Sequence, residues 1–229
     1  MKREVAQMIA NETRNSYDHM AREFSDTRVT FWEELGFLAE HAIPGMRVLD
    51  IGCGNGRFYE LLKTRQVTYT GLDYSIGLLA EARRLHPDGA FMEGDATKLP
   101  FADCSFDIAF AFAVIHHIPG RELREQFVRE VARVLSPGST FILTAWDLEG
   151  TGKIRYLRSY LNSMNPFTTL DAGDIMLTFG KEKRKRYLHA FTERELVRLL
   201  EKNGFSVVDT DVVTRPSGQK NILVIARKK

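Results

Sequence analysis

Cysteine is scarce in this 229-residue chain, with only Cys53 and Cys104. Two thiols in loop-like segments build no disulfide framework and suit a reducing compartment, so a cytoplasmic protein is expected. Charge of one sign is lacking too. Lys and Arg number 32 against 30 Asp and Glu, a formal net charge of +2. That excludes nucleic-acid binding by bulk charge and leaves room for local basic patches alone. No apolar run reaches the about 20 residues of a membrane span, and the chain does not start with the apolar segment of a signal peptide. Internal repeats and low-complexity tracts are absent. What remains is a soluble intracellular enzyme or binding domain. Its length suits one α/β domain that buries roughly 70% of its unfolded surface.

The chain is organised around RVLDIGCGNGRF, residues 47–58. Val48, Leu49 and Ile51 form an apolar run too short for a helix, so Arg47–Ile51 reads as a buried parallel strand. After Asp50, glycines 52, 54 and 56 run as G-x-G-x-G, and Phe58, Leu61 and Leu62 open a helix. A strand that turns through glycines into a helix makes a cofactor loop. Bare backbone admits a ligand closely, and free N–H groups are expected to point at it. A dinucleotide fingerprint would place its third glycine at position 57, where Arg57 stands, so an NAD-dependent oxidoreductase is disfavoured.

Four more strands follow: Tyr69 to Asp73, Ala90 to Met92, Phe106 to Phe112 and Thr140 to Trp146. Ser75 reads as the N-cap of a helix from Ile76 to Leu85. Leu123, Phe127, Val131 and Leu135 share one helix face. Strands alternating with helices predict a parallel sheet covered on both faces. Before this core, residues 1–44 carry helical spacing, with Val5, Met8 and Ile9 and then Phe31, Trp32, Leu35, Leu38 and Ala39. They read either as a cover for the sheet edge or as a substrate-side cap, with Arg28, Tyr17, Phe24 and Trp32 at the site mouth.

Residues 148–190 contain no clean strand. Tyr156, Leu157, Tyr160 and Leu161 predict one or two helices there, and so long a connection is more often functional than idle. From 151 to 190 there are eight Lys and Arg against three Asp and Glu. The run KEKRKR, 181–186, reads as a solvated face or as a contact for phosphates. Thr192 with Glu195 forms a capping box for the next helix. Two strands, Phe205 to Val213 and Asn221 to Ala226, end the fold around the turn RPSGQ.

Asp73 ends the second strand, 17 residues beyond Gly56, where a carboxylate can accept both hydroxyls of a ribose. Asp95 ends the third, where its carboxylate could accept an adenine amino hydrogen while the Ala96 N–H meets a ring nitrogen. On these motifs residues 45–146 resemble the class I S-adenosylmethionine (SAM)-dependent methyltransferases: LDIGCGNG, GLDYS, GDATKLPFADCSFD, AVIHHI and RVLSPGSTFIL match in order. The resemblance implies that Gly52, Cys53, Gly54 and Gly56 wrap the methionine part of SAM. Asp73 and Tyr74 would sit at the ribose, Asp95 and Ala96 at the adenine, and the Phe112 backbone at the amino group. Asp50 would brace the loop from behind, and no metal is implied. It also implies a Rossmann-like α/β fold with a seven-stranded, mostly parallel sheet and one antiparallel strand near the end. The single domain 1–229 would then comprise a helical cap (1–44), a SAM-binding core (45–147), a substrate lid (148–190), and a last helix with final strands (191–229).

Outside the core, YDHMAREFSDTRVTFW, AVIHHI, TAWDLEG and RYLHAFTERELVRLLEKNGF are similar to the eukaryotic methyltransferases that esterify 5-carboxymethyluridine at the tRNA wobble position. The matching residues are Tyr17, Phe24, Ser25, Thr27, Arg28 and Trp32, then His116, His117, Trp146 and Glu149, then Arg186, Tyr187, His189 and Phe191. That family has D-V-x-V-P-W where this chain has DIMLTF, so Thr178 and Phe179 replace Pro and Trp, and Leu188 replaces a second Tyr. The departures bear on the substrate rather than the cofactor. Methyl transfer to a carboxylate needs no strong base, because its pKa is about 4. It needs an arginine fork instead, and Arg28 and Arg186 are the candidates. A hydroxyl or amine acceptor would need a base, which His116 or His117 could supply. Trp146 and His189 complete the catalytic candidates. The implied partners are tRNA, or else a small-molecule acid, phenol or amine, and a small zinc-protein activator. The intact motifs disfavour a non-catalytic scaffold.

Overall fold

The computed structural model describes residues 1–147 and 169–229. Its strands are β1 (Arg47–Ile51), β2 (Thr68–Asp73), β3 (Phe91–Glu93), β4 (Phe106–Phe112), β5 (Leu135–Asp147), β6 (Asp174–Phe179), β7 (Arg184–His189), β8 (Phe205–Thr214) and β9 (Lys220–Lys228). Its α-helices are α1 (Arg3–His19), α2 (Ala21–Asp26), α3 (Tyr59–Leu62), α4 (Ile76–Leu85), α5 (Arg121–Val134) and α6 (Glu193–Lys202), and Glu33–His41 is a 3-10 helix. Seven strands form one sheet in the order β3-β2-β1-β4-β5-β9-β8. Pairing from β3 across to β5 is parallel, and β9 runs antiparallel to both β5 and β8. This is the Rossmann-like, mostly parallel seven-stranded sheet that the methyltransferase resemblance implies, with its reversed strand near the end.

β4 shows why both faces bury. Strand side chains alternate, so Ile108, Phe110 and Phe112 enter one core with Leu35, Leu38, Leu62 and Leu79. Ala109 and Ala111 enter the other, and their small size leaves room for Phe127 and Val131 of α5 and Leu196 and Leu200 of α6. β5 begins five residues earlier than its apolar run suggests. Leu135 pairs with Phe106 and Thr140 with Ile108, and the intervening turn residues bulge out through Gly138 at φ +76°.

Caps fix how the helices meet the sheet. Ser75 Oγ accepts the Leu78 N–H, and Asp18 of α1 accepts both the Ser75 hydroxyl and the Gly77 N–H. The cap helix thereby closes the start of α4. Thr192 Oγ1 accepts the Glu195 N–H at 3.2 Å, but only half of the expected capping box forms. The Glu195 carboxylate turns instead to His189, at 2.9 Å. In α1 the buried stripe is Ala6, Ile9, Thr13 and Ser16, and Met8 faces outward.

The reading of 148–190 as strand-free is corrected in its second half. β6 and β7 form an antiparallel hairpin, with Asp174 opposite His189 and Met176 opposite Tyr187. Its turn, with Gly180 at φ +71° and Lys183 at φ +52°, abuts Met20. β7 is tied to α1 by the Ser16 hydroxyl to the Lys185 carbonyl and by the Tyr187 N–H to Thr13 Oγ1. The helices expected around Tyr156, Leu157, Tyr160 and Leu161, and the match at Glu149, lie outside the described residues. Among the described residues no helix is long and apolar enough to cross a membrane.

Candidate active site

Strand order reverses between β1 and β4, and open α/β sheets bind ligands in the crevice outside their strand ends at such a point. Here the crevice is a cavity of about 230 Å³ between those strand ends, α1 and the residues after α2. At one end lie Asp50, Gly52, Cys53, Gly54, Asp73 and Tyr74, joined by Asp95, Ala96 and Phe112. Gly56 lies outside the cavity lining. A Cβ there would meet Phe91 and His86 at 2.8 and 2.9 Å, so position 56 is small to let the loop pack. Gly54, at φ +57°, has only the Phe24 ring at 3.9 Å in front of a Cβ, so its bare surface faces open space.

Four of the loop N–H groups are engaged within the protein rather than left to a ligand, contrary to expectation. Gly52 and Cys53 donate to the Leu72 carbonyl, Gly56 to the Cys53 carbonyl, and Gly54 to Asp73 Oδ2 at 2.8 Å. Because β1 and β2 are neighbours, the loop closes on the end of β2 and satisfies its own donors there. Asp73 also accepts the Ser75 N–H on Oδ1, at 2.8 Å. Burial raises its pKa, against the pull of these backbone donors. Each oxygen keeps a lone pair in a fixed direction, which suits two adjacent hydroxyls. Asp50 lies beneath the loop, accepts the Tyr69 hydroxyl at 2.8 Å, and is pushed up by burial to about 7. Asp95 Oδ1 accepts the Thr97 N–H and hydroxyl, both at 2.8 Å. Burial likewise keeps the Cys53 thiol protonated.

The other end of the cavity is aromatic and cationic. Arg28 lies over Phe24 at 4.2 Å, and Arg186 lies 4.7 Å from the Trp146 ring and 4.6 Å from Phe179. Arg186 Nη1 donates to the Tyr17 hydroxyl at 3.5 Å, and that hydroxyl is 3.0 Å from His117 Nε2. His117 Nδ1 lies 3.0 Å from the Tyr187 carbonyl. A carbonyl can only accept, so Nδ1 carries the proton and Nε2 accepts from Tyr17. Burial, then the charge of Arg186, pulls His117 down to about 3. It is neutral and engaged at both nitrogens.

His116 and His189 stand outside the cavity lining. His116 is fully buried behind Trp146, whose backbone N–H donates to Nδ1 at 3.3 Å, and burial holds it well below the usual histidine range. It cannot reach an acceptor to serve as a base. His189 bridges Asp174 at 2.7 Å and Glu195 at 2.9 Å. Burial lowers its pKa, but the two carboxylates outweigh that and raise it. Tyr187 and Arg124 share Asp174. His189 thus ties the hairpin to α5 and α6, away from the cavity lining.

Sequence reasoning passed over several residues at this site. Asn55 donates to Ser25 Oγ and the Arg28 carbonyl, tying the glycine loop to the cap. Ala113 follows β4 at φ +58°, held by its N–H to Thr144 Oγ1 at 3.0 Å. A non-glycine residue in that region is strained, and such strain collects at functional sites. Arg57, read only as a missing glycine, lines the cavity.

A family model described as a methyltransferase domain matches residues 49–143. The chain is 35% identical over 195 residues to "Putative methyltransferase ECU09_1500" of Encephalitozoon cuniculi, covering 84% of this chain and 86% of that one. It is 32% identical over 133 residues to the tRNA (carboxymethyluridine(34)-5-O)-methyltransferase of Saccharomyces cerevisiae, covering 58% of this chain and 47% of that protein. It is 33% identical over 155 residues to the demethylmenaquinone methyltransferase of Renibacterium salmoninarum, covering 66% of this chain and 62% of that protein. Among solved structures, a SAM-dependent methyltransferase of Methanosarcina mazei superposes with a TM-score of 0.72 at 25% identity, covering 87% of this chain and 98% of that one.

Proposed function

This chain belongs to the class I SAM-dependent methyltransferases, and from that premise we propose that it methylates a carboxylate on a modified tRNA uridine of the 5-carboxymethyluridine kind. SAM is its cofactor, and the residues present fit it. The open face of Gly54, the paired oxygens of Asp73 and the turn at Asp95 offer a bare cradle, a diol acceptor and an amino acceptor in that order. When bound there, the cofactor supplies a methyl group already activated by its sulfonium, leaving the protein to align the acceptor and exclude water.

The observation that carries the carboxylate reading is the state of His117. It is the one imidazole lining the cavity among the described residues, and a base whose conjugate acid has a pKa of about 3 removes no proton from a hydroxyl or ammonium. Asp50 titrates near 7 but lies at the cofactor end, bonded to Tyr69. What faces the acceptor is Arg28 and Arg186. Their forks match a carboxylate, which needs no deprotonation at neutral pH. Trp146 and Phe179 hold the Arg186 fork by its flat face, and Tyr17 holds one edge.

The tRNA part of the proposal draws on the yeast relative, which spans about twice the matched length. The hairpin adds support, because Lys181, Lys183 and Lys185 lie at its turn and along β7, where they could position a polyanion. The role of Arg28 and Arg186, the lid function of 148–190, and the need for a small zinc-protein activator belong to the same proposal. A small-molecule acid is the second reading, favoured by the equal likeness to the menaquinone enzyme. The test is transfer of labelled methyl from SAM to carboxymethylated tRNA and to free carboxylic acids, with and without an activator protein. Label in tRNA that mild alkali releases is the expected ester. Label in free acids alone would move the conclusion to the second reading.

A further inference from the structure

The mouth of the cavity holds more positive charge than one carboxylate uses. Arg57 follows the glycine loop, and its guanidinium lies 4.2 Å from the centroid of the Trp32 ring. Arg215, from the turn between β8 and β9, lies over the same indole at 4.9 Å. Arg57 lines the cavity and has no hydrogen-bond or ion-pair partner among the described residues. Arg215 donates to Glu34 at 3.0 Å and to Gln219 at 3.2 Å. Arg28 joins them from the cap, its guanidinium donating only to the Thr27 hydroxyl among the described residues. One carboxylate in direct contact thus serves three neighbouring guanidiniums.

The guanidiniums repel one another. Burial, then repulsion by Arg28 and Arg215, pulls Arg57 down to about 10, and Arg28 is lowered by burial and by Arg186 and Arg215. An anion bound beside the guanidiniums offsets that repulsion. Position says which anion. Arg215 does not line the cavity, whereas Arg57 does, so a ligand that meets both crosses the mouth toward the outside. A group confined within the cavity would not meet Arg215. Two planar forks stacked on one indole offer N–H donors in several directions, which suits a phosphate with its several oxygens better than a single flat carboxylate.

We propose that Arg57 and Arg215, both stacked on Trp32, form a phosphate site that holds the sugar–phosphate backbone of the acceptor strand. This rests on the reading of an RNA acceptor and gives it a second anchor, separate from the carboxylate that is methylated.

The test uses binding, not turnover. A fluorescent uridine oligonucleotide without any carboxymethyl group is titrated onto the whole chain, and S-adenosylhomocysteine is titrated by calorimetry. Arg57→Gln and Arg215→Gln are each expected to weaken oligonucleotide binding at least about fivefold and to lower the salt slope by about one. Arg57→Lys should recover part of the loss and also serves if Arg57→Gln fails to fold. S-adenosylhomocysteine affinity should change less than about twofold. A fall in that affinity with unchanged oligonucleotide binding would assign Arg57 to the cofactor's own carboxylate and overturn the proposal. So would unchanged binding of both probes. Because the probe carries no carboxylate to methylate, failure of the methyl-acceptor reading leaves this result interpretable on its own.

Discussion

At one end of the cavity Asp50, Asp73 and Asp95 are held by backbone N–H groups, a tyrosine hydroxyl and their own turns. At the other end Arg28, Arg57 and Arg186 rest on aromatic rings, with few acceptors of their own. The carboxylates are placed by the ends of adjacent strands, so their positions follow from the sheet. The guanidiniums come from the cap, the glycine loop and the hairpin, and converge only when those segments pack. A carboxylate end set by the sheet thus faces a guanidinium end set by tertiary packing.

The largest effect should come from filling the cradle. Gly54→Arg puts a side chain at φ +57° into the open face, and SAM binding by calorimetry should be lost while cooperative unfolding persists. Acceptor binding measured separately should survive, so that loss of both would break the division between the ends. Next is Arg186→Ala, expected to lower kcat/KM by about a hundredfold, near 2.7 kcal/mol, for a lost charged contact. SAM affinity should stay within about twofold.

How far each end was legible in the sequence follows the same division. β1, the glycine loop and the Ser75 cap depend on covalent neighbours, so spacing alone places them. The β6–β7 hairpin was hidden because both faces of β7 carry polar residues. Arg186 faces the cavity, while Tyr187 and His189 turn into a buried network with Asp174. A period-2 pattern with charge on each face reads as a solvated run. His189 owes its structural role to register, since Asp174 lies directly opposite it, and register is not visible in one strand. Arg57 was legible only as the glycine it replaces.

Two smaller effects sharpen the contrast. Asp50 is raised to about 7 in the fold from a usual value of 3.8. The folded chain therefore keeps a proton that the unfolded chain has lost, and apoprotein stability should fall as pH rises from about 4 to about 7. Asp50→Asn should flatten that decline in thermal unfolding. A cationic ligand favours the ionised form, so SAM affinity should weaken as pH drops below about 7, by at most about tenfold per unit. Smallest is Tyr17→Phe, which removes the hydroxyl shared by Arg186 and His117. It should cost about twofold to tenfold in kcat/KM, the range of one hydrogen bond, with the shape of the pH profile unchanged.

That profile is the most direct test of the claim that the acceptor end binds an anion rather than removing a proton. With SAM saturating and a carboxymethylated tRNA as acceptor, kcat measured from pH 5.5 to 9 should be flat, because a carboxylate with a pKa of about 4 is ionised throughout and His117 stays neutral. A rise through one ionisation near 6 to 8 that disappears in His117→Asn would contradict it, making His117 a base.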